Sequence, residues 1–270
     1  WWVVHLWVEG FFEVFATVVA AFLFCRLGLL RIQSATVSVL FSTIIFLSGG
    51  ILGTFHHLYF SATPTAVLAL GATFSALEIV PLVLIGYEAY HNYSLSRSTP
   101  WIKAYKWPIY YFIAMCFWNF LGAGIFGFAI NPPIALYYIQ GLNTTAVHGH
   151  AALFGVYGIL GIGLMLFCLR GLYPDYKWND KLIGTAFWMI NIGLFLMVTV
   201  SVLPIGILQA YESITNAYWS ARSAEFMQQE HMQLIRWMRM PGDLILGVGE
   251  LLLVVFIFGL QFGWSRKGTR

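Results

Sequence analysis

Seven apolar runs, each close to the length a helix needs to cross hydrocarbon, decide what this chain can become. They lie at about residues 3 to 25, 36 to 58, 66 to 88, 108 to 130, 146 to 170, 182 to 208 and 243 to 264, against roughly 20 residues for a spanning helix at 1.5 Å rise. Composition points the same way: only 9% of residues are charged, where a soluble domain carries about a quarter. No soluble fold could cover such a surface. The expected fold class is therefore all-α, a polytopic membrane helix bundle with seven transmembrane helices, and residues 1–270 form a single transmembrane domain without long-period repeat or low-complexity tract.

Charge placement predicts orientation, because cytoplasmic loops collect Lys and Arg. One face of the expected bundle holds Arg26, Arg31, Arg97, Lys103, Lys106, Arg170, Lys177, Lys181, Arg266, Lys267 and Arg270, and the other holds Arg222, Arg236 and Arg239. This places the C-terminus inside and residue 1 outside. Trp1, Trp2 and Trp7 at one end, and Trp101 and Trp107 before the fourth run, resemble interfacial aromatic belts. Topology accounts for the net charge of +3, and nothing suggests nucleic acid. The chain begins without Met and without a cleavable signal pattern, and reads as a portion whose upstream part is missing. The polar stretch at about 209 to 240 reads as a helical extension or an interfacial helix.

Against this apolar background the histidines stand out, since an ionisable group in a bilayer costs roughly 2.5 to 3.5 kcal/mol on insertion scales. His5 and Glu9 are one helical turn apart on one face. His56 and His57 lie at the outer end of the second run and point about 100° apart, so they share an ion most easily where the helix end loosens. Three imidazoles and a carboxylate at matching depth form a mixed N/O set that suits non-haem iron. His148 and His150, two residues apart, face opposite sides of a helix and could hold two separate haem irons, with Gly149 giving room for the macrocycles.

Glu78 lies about twelve residues into the third run, on the order of 18 Å deep by helical rise. It is a candidate proton donor, and Glu13 extends the acidic face of Glu9 inward; both serve equally well as groups that orient the histidines. Glu250 has no evident partner in sequence and stays unassigned. Cys25, Cys116 and Cys168 show no C-x-x-C spacing and read as packing residues.

Taken together, His5-Leu-Trp-Val-Glu9-Gly, the pair His56-His57, Ser-Ala-Leu-Glu78 and Val-His148-Gly-His150 resemble the catalytic subunit of bacterial nitric oxide reductase, a branch of the haem-copper oxidase superfamily. The resemblance runs over the entire chain, whose helices look like the last seven of a twelve-helix core. It implies that His5, His56, His57 and Glu9 bind the non-haem iron FeB, that His148 binds the iron of high-spin haem b3 and that His150 is one axial ligand of low-spin haem b. Glu78 and Glu13 match acidic residues near the binuclear centre, associated with proton delivery or with holding the centre together. The reaction implied couples two NO, two electrons and two protons to N2O and water. The second axial ligand of haem b, and the ligands of a calcium bridging the haem propionates, would lie in the missing N-terminal helices of the same protein. The location implied is the bacterial inner membrane, with the active site in the outer third.

Two electron donors compete within this family: cytochrome c through a separate haem c subunit, and quinol in a single longer chain. The run Trp1 to Glu13 and Arg239-Met-Pro-Gly-Asp243 look more like the quinol form. Asp243 matches a residue proposed at its quinol pocket, and would be equally at home as a helix N-terminal charge. The rival readings are a haem-copper terminal oxidase, which has a Tyr four residues after its first ligand His where this chain has Glu9, and a non-catalytic membrane haem scaffold or transporter.

Overall fold

The computed structural model describes residues 2–77, 80, 83, 87 and 100–267. Its elements run α1 (Trp2–Arg26), α2 (Ile32–Leu58), α3 (Thr65–Leu77), α4 (Pro100–Ala104), α5 (Lys106–Ile130), α6 (Pro133–Ile139), α7 (Asn143–Leu172), β1 (Lys177–Trp178), α8 (Asp180–Thr215), α9 (Ala224–Met227), α10 (Glu230–Phe262) and β2 (Arg266–Lys267). Among the described residues six helices, α1, α2, α5, α7, α8 and α10, are long and apolar enough to cross a membrane. The third expected span is seen as α3 up to Leu77, and the rest of it, with Glu78, lies outside the described residues. The polar stretch at 209 to 240 divides: α8 carries its helix on to Thr215, and α10 begins at Glu230, earlier than the apolar pattern suggested, with a break in helical bonding at Met238.

Local chemistry explains where these helices stop and bend. α1 ends as Gly28 takes a left-handed conformation with φ +68°, and α10 ends the same way at Gly263 with φ +93°, a region open to glycine without a Cβ clash. Asn179 caps α8, its side chain accepting from the Leu182 N–H at 3.3 Å. Within α8, Pro204 lacks an N–H and its ring crowds the carbonyl one turn back. The segment Met197–Val202 just before it opens into wide turns and keeps the helix continuous. Similar wide-turn segments interrupt α1 at Val8–Glu13, α2 at Ile45–Gly49, α5 at Asn119–Phe126 and α7 at His150–Gly158; such segments are rare overall and frequent at functional sites.

The helices meet through small residues, as expected where lipid tails offer no hydrophobic drive between them and close van der Waals contact must do the work. α8 and α10 form the most extensive pairing. A Cβ on Gly193 would lie 2.5 Å from the Leu246 backbone nitrogen, and one on Gly242 would lie 2.6 Å from that of Met197. α5 crosses α7 in the same way, with Gly122 against the Ala151 backbone and Gly155 against the Trp118 ring. The main core fills the spaces between, with Phe24, Ile109, Phe112, Trp118, Ile183 and Phe256 among its buried side chains.

At one end of the bundle β1 and β2 pair antiparallel, Lys177 opposite Lys267 and Trp178 opposite Arg266. Buried Arg170 lies with its guanidinium 3.9 Å from the centre of the Trp178 ring and donates through Nη1 to the Tyr176 carbonyl at 2.7 Å. Trp107 Nε1 donates to Asp180 Oδ1 at 2.6 Å. The α7–α8 connection and the C-terminal segment thus occupy the same end, which agrees with the parity of the charge pattern.

Replacing Gly193 by Val forces α8 away from the α10 backbone and is expected to cost about 1–3 kcal/mol through overpacking. Gly161→Ala, where an added Cβ meets nothing within 4 Å, is expected to leave stability unchanged or slightly raised. Thermal unfolding in detergent micelles measures both, and equal behaviour of the two variants would contradict the packing described.

Candidate metal centre

The start of α1 and the end of α2 bring three imidazoles to one point. His5 lies in the first turns of α1, and α2 finishes in a 3₁₀ turn, Thr54–Leu58, that carries His56 and His57. The tighter 3₁₀ turn changes the angle between adjacent side chains, and both rings reach His5. His5 Nδ1 lies 2.5 Å from His57 Nε2 and 3.0 Å from His56 Nε2, and the ring centroids are 4.5 to 4.7 Å apart.

One proton on His5 Nδ1 cannot satisfy both contacts well, whereas a cation between the rings accepts all three lone pairs at once. Metal–imidazole bonds near 2.1 Å bring neighbouring ligand nitrogens to roughly 3 Å from one another, comparable to what the trio shows. The donor set therefore fits a metal ion, and it is the cluster with that capacity among the described residues. The Glu9 backbone lies on α1 one turn beyond His5, within the wide-turn segment Val8–Glu13. The ligand role expected of its side chain lies outside what is described.

A hydrogen bond not foreseen from sequence sets the spacing of the two helices. Trp2 Nε1 donates to Thr54 Oγ1 at 3.0 Å, and the same hydroxyl donates to the Ile51 carbonyl at 2.8 Å. Thr54 is fully buried. Trp2 precedes His5 by three residues and Thr54 precedes His56 by two, so this cross-link fixes the ligand-bearing turns against each other. No spacing signal in sequence announces it, because its two residues are common types 52 positions apart.

His148 and His150 point to different neighbours. His148 Nδ1 donates to the Gly122 carbonyl of α5 at 2.8 Å. His150 Nδ1 donates to the Ala146 carbonyl one turn back at 2.8 Å, and its Nε2 lies 3.3 Å from Arg239 Nη2 on α10. In both rings a carbonyl holds Nδ1 and so sets the tautomer that leaves Nε2 with its lone pair, the arrangement that suits an iron ligand. A Cβ on Gly149 would meet nothing within 4 Å, so open space remains between them. These features fit two haem ligands on opposite faces of α7.

Arg239 also grips Asp243 one turn on, its Nε lying 2.9 and 3.2 Å from the two carboxylate oxygens. Sequence reasoning singled out Asp243 and missed Arg239, which joins that carboxylate to the His150 ring. Glu13 lies half-buried on α1 two turns inward of His5, at a cavity shared with α5 and α7. Glu250 is half-buried on α10.

Residues 1–245 match the family model of Cytochrome C and Quinol oxidase polypeptide I. A nitric oxide reductase chain of Stutzerimonas stutzeri, the one designated B, is 28% identical over 270 residues, covering 97% of this chain and 54% of that protein. The chain thus spans about half the length of this curated relative.

Thr54→Val keeps the shape of residue 54 and deletes the acceptor for Trp2. In the full-length protein it is expected to weaken metal retention at the trio by about 10-fold or more, as loss of a group that orients metal ligands does. Titration with a competing chelator reads this directly, and retention equal to that of the unaltered protein would show that the Trp2–Thr54 link does not position the ligands.

Proposed function

The chain belongs to the Cytochrome C and Quinol oxidase polypeptide I family, and we propose that it is the metal-bearing part of a nitric oxide reductase. In this reading the whole protein couples two NO with two electrons and two protons to N2O and water. The observation that carries it is the convergence of His5 Nδ1, His56 Nε2 and His57 Nε2, and the similarity to the Stutzerimonas stutzeri nitric oxide reductase chain supports it.

His5, His56, His57 and Glu9 would hold the non-haem iron FeB, His148 the iron of haem b3 and His150 that of haem b. When bound, FeB and haem b3 would supply the two irons that take up NO, and haem b would supply electrons to them. The chain itself supplies geometry, dryness and protons. The Trp2–Thr54 hydrogen bond and the Gly122 carbonyl fix the directions of the ligand rings, which lowers the entropic cost of bringing the reactants together. The apolar helices exclude bulk water, so that protons come from positioned carboxyls, for which Glu13 and Glu78 are the candidates.

Quinol is the proposed electron donor. Asp243 is ion-paired with Arg239 one turn away on α10, and the Arg239 guanidinium lies beside the ring of the proposed haem b ligand, at the Nε2 atom that a haem iron would take over from it. A full set of seven spanning helices, α3 continuing beyond Leu77, would put residue 1 outside and the C-terminus in the cytoplasm of a bacterial inner membrane. The ligands of the bridging calcium and the second haem b ligand are assigned to no residue of this chain. A copper-bearing terminal oxidase is the second reading, since the family takes its description from such oxidases; a carboxylate at Glu9 favours the harder iron over copper.

Metal analysis of the full-length protein separates these readings. Three irons to two haems, without copper, is the expected result, while copper would move the chain to the oxidases. Iron equal to haem would leave the His5, His56 and His57 cluster without its metal. Glu9→Ala is expected to deplete the non-haem iron and abolish NO reduction while sparing the haem spectrum. Normal NO turnover by that variant would remove Glu9 from the site.

A further inference from the structure

α1 carries polar residues at intervals of four on an otherwise apolar helix: His5, Glu9, Glu13 and Thr17. On a regular helix that interval keeps residues on one stripe, and in α1 the wide-turn segment Val8–Glu13 offsets the stripe part-way along. By helical rise Thr17 lies roughly 18 Å from His5 along the axis. A threonine continuing an acidic stripe this deep has no role in the ligand set.

The structure shows what Thr17 faces. Glu13, Ala16, Thr17 and Ala20 of α1, with Met115, Cys116 and Asn119 of α5 and Val156 and Tyr157 of α7, line a partly open cavity of about 20 Å³. That exceeds the 10–15 Å³ or so that one water needs. Thr17 is 4% exposed, and its Oγ1 is buried with no hydrogen-bond partner among the described residues. A buried hydroxyl left unpaired costs about 1–3 kcal/mol, and a water in the adjoining cavity would remove that cost. The Glu13 carboxyl borders the same space, and Asn119, first residue of a wide-turn segment in α5, adds a polar wall.

We propose that this cavity is a built water site in which Thr17 holds one ordered water against the Glu13 carboxyl, and that the water returns to Glu13 each proton it delivers toward the metal centre. The inference rests on the nitric oxide reductase reading for the destination of the proton, and on the cavity and Thr17 alone for the water. The proton balance is simple: Glu13 loses one proton to the reacting centre and regains one through the water, which takes its replacement from a solvent hydronium, so two such cycles supply the two protons consumed per N2O. Thr17 is a positioning residue, since it acts through the water and touches neither substrate nor metal.

The experiment compares Thr17→Val, which removes the hydroxyl at nearly constant shape, with Thr17→Ser, which keeps it, in the full-length protein. Thr17→Val is expected to lower kcat for NO about tenfold, a modest part of what a positioned proton donor contributes. KM for NO and the iron-to-haem ratio stay unchanged, the effect of D2O on kcat grows, and Thr17→Ser restores turnover. Infrared difference spectra supply a readout independent of turnover: the carboxyl band lost in Glu13→Gln should shift in Thr17→Val and not in Thr17→Ser. An unshifted band, unaltered turnover and D2O effect, or loss of iron in step with activity would each overturn the proposal. Absence of NO reduction in the unaltered protein would instead overturn the function proposed above, and the infrared band would still report the water site.

Discussion

The approach of one nitrogen of His5 to the rings of both His56 and His57 is the contact on which the rest of this structure depends. Two residues adjacent in the chain and a third 51 positions earlier can meet only if α1 and α2 run side by side in one register. They also require α2 to give up its regular spacing in its last turn. The 3₁₀ turn at Thr54–Leu58 supplies that change, and the Trp2–Thr54 hydrogen bond holds it. The geometry is unfavourable for neutral rings alone and favourable around a cation, so the local fold carries a preference for bound metal.

The rest of the bundle provides the rigidity such a site needs. Close crossings of α5 with α7 and of α8 with α10 depend on glycine where backbones approach. Departures from regular helix concentrate in the middle of the spans, near Glu9, Asn119, His150 and Pro204. Each rotates the following side chains relative to a straight helix, and in α7 this begins at His150 itself. The two ends of the bundle are finished differently. One is closed by Arg170 stacked on Trp178 and by the short strand pair, the other by the segment between α8 and α10, where Gln209 donates to the Ala221 carbonyl and Arg222 to that of Gly141.

Much of the site was legible in sequence because its chemistry is out of place. A histidine or glutamate in a spanning helix is costly enough to need a reason, and the four-residue step from His5 to Glu9 follows from helical geometry alone. The groups that support those ligands were not legible. Gly122 contributes a carbonyl, which every residue possesses. Trp2 and Thr54 are ordinary at such positions, and in sequence Arg239 reads only as one of three charges on the less basic face. The polar stretch at 209 to 240, expected as a helical extension or an interfacial helix, lengthens both α8 and α10, and hydropathy could not say where between them the backbone hydrogen bonding stops.

By itself the sequence determined the class of the protein and which of its residues are out of place in lipid. Apolar runs of spanning length admit only helices in a bilayer, because every backbone N–H and C=O must be satisfied within the segment, and ionisable residues inside them need partners. What only the tertiary structure decided is which of those residues meet. Contacts such as His5 with His57, His148 with Gly122, His150 with Arg239, and Thr17 with the cavity beside Glu13 join different helices or different spans. Periodicity fixes the face a residue occupies on its own helix, and helix packing fixes what that face meets.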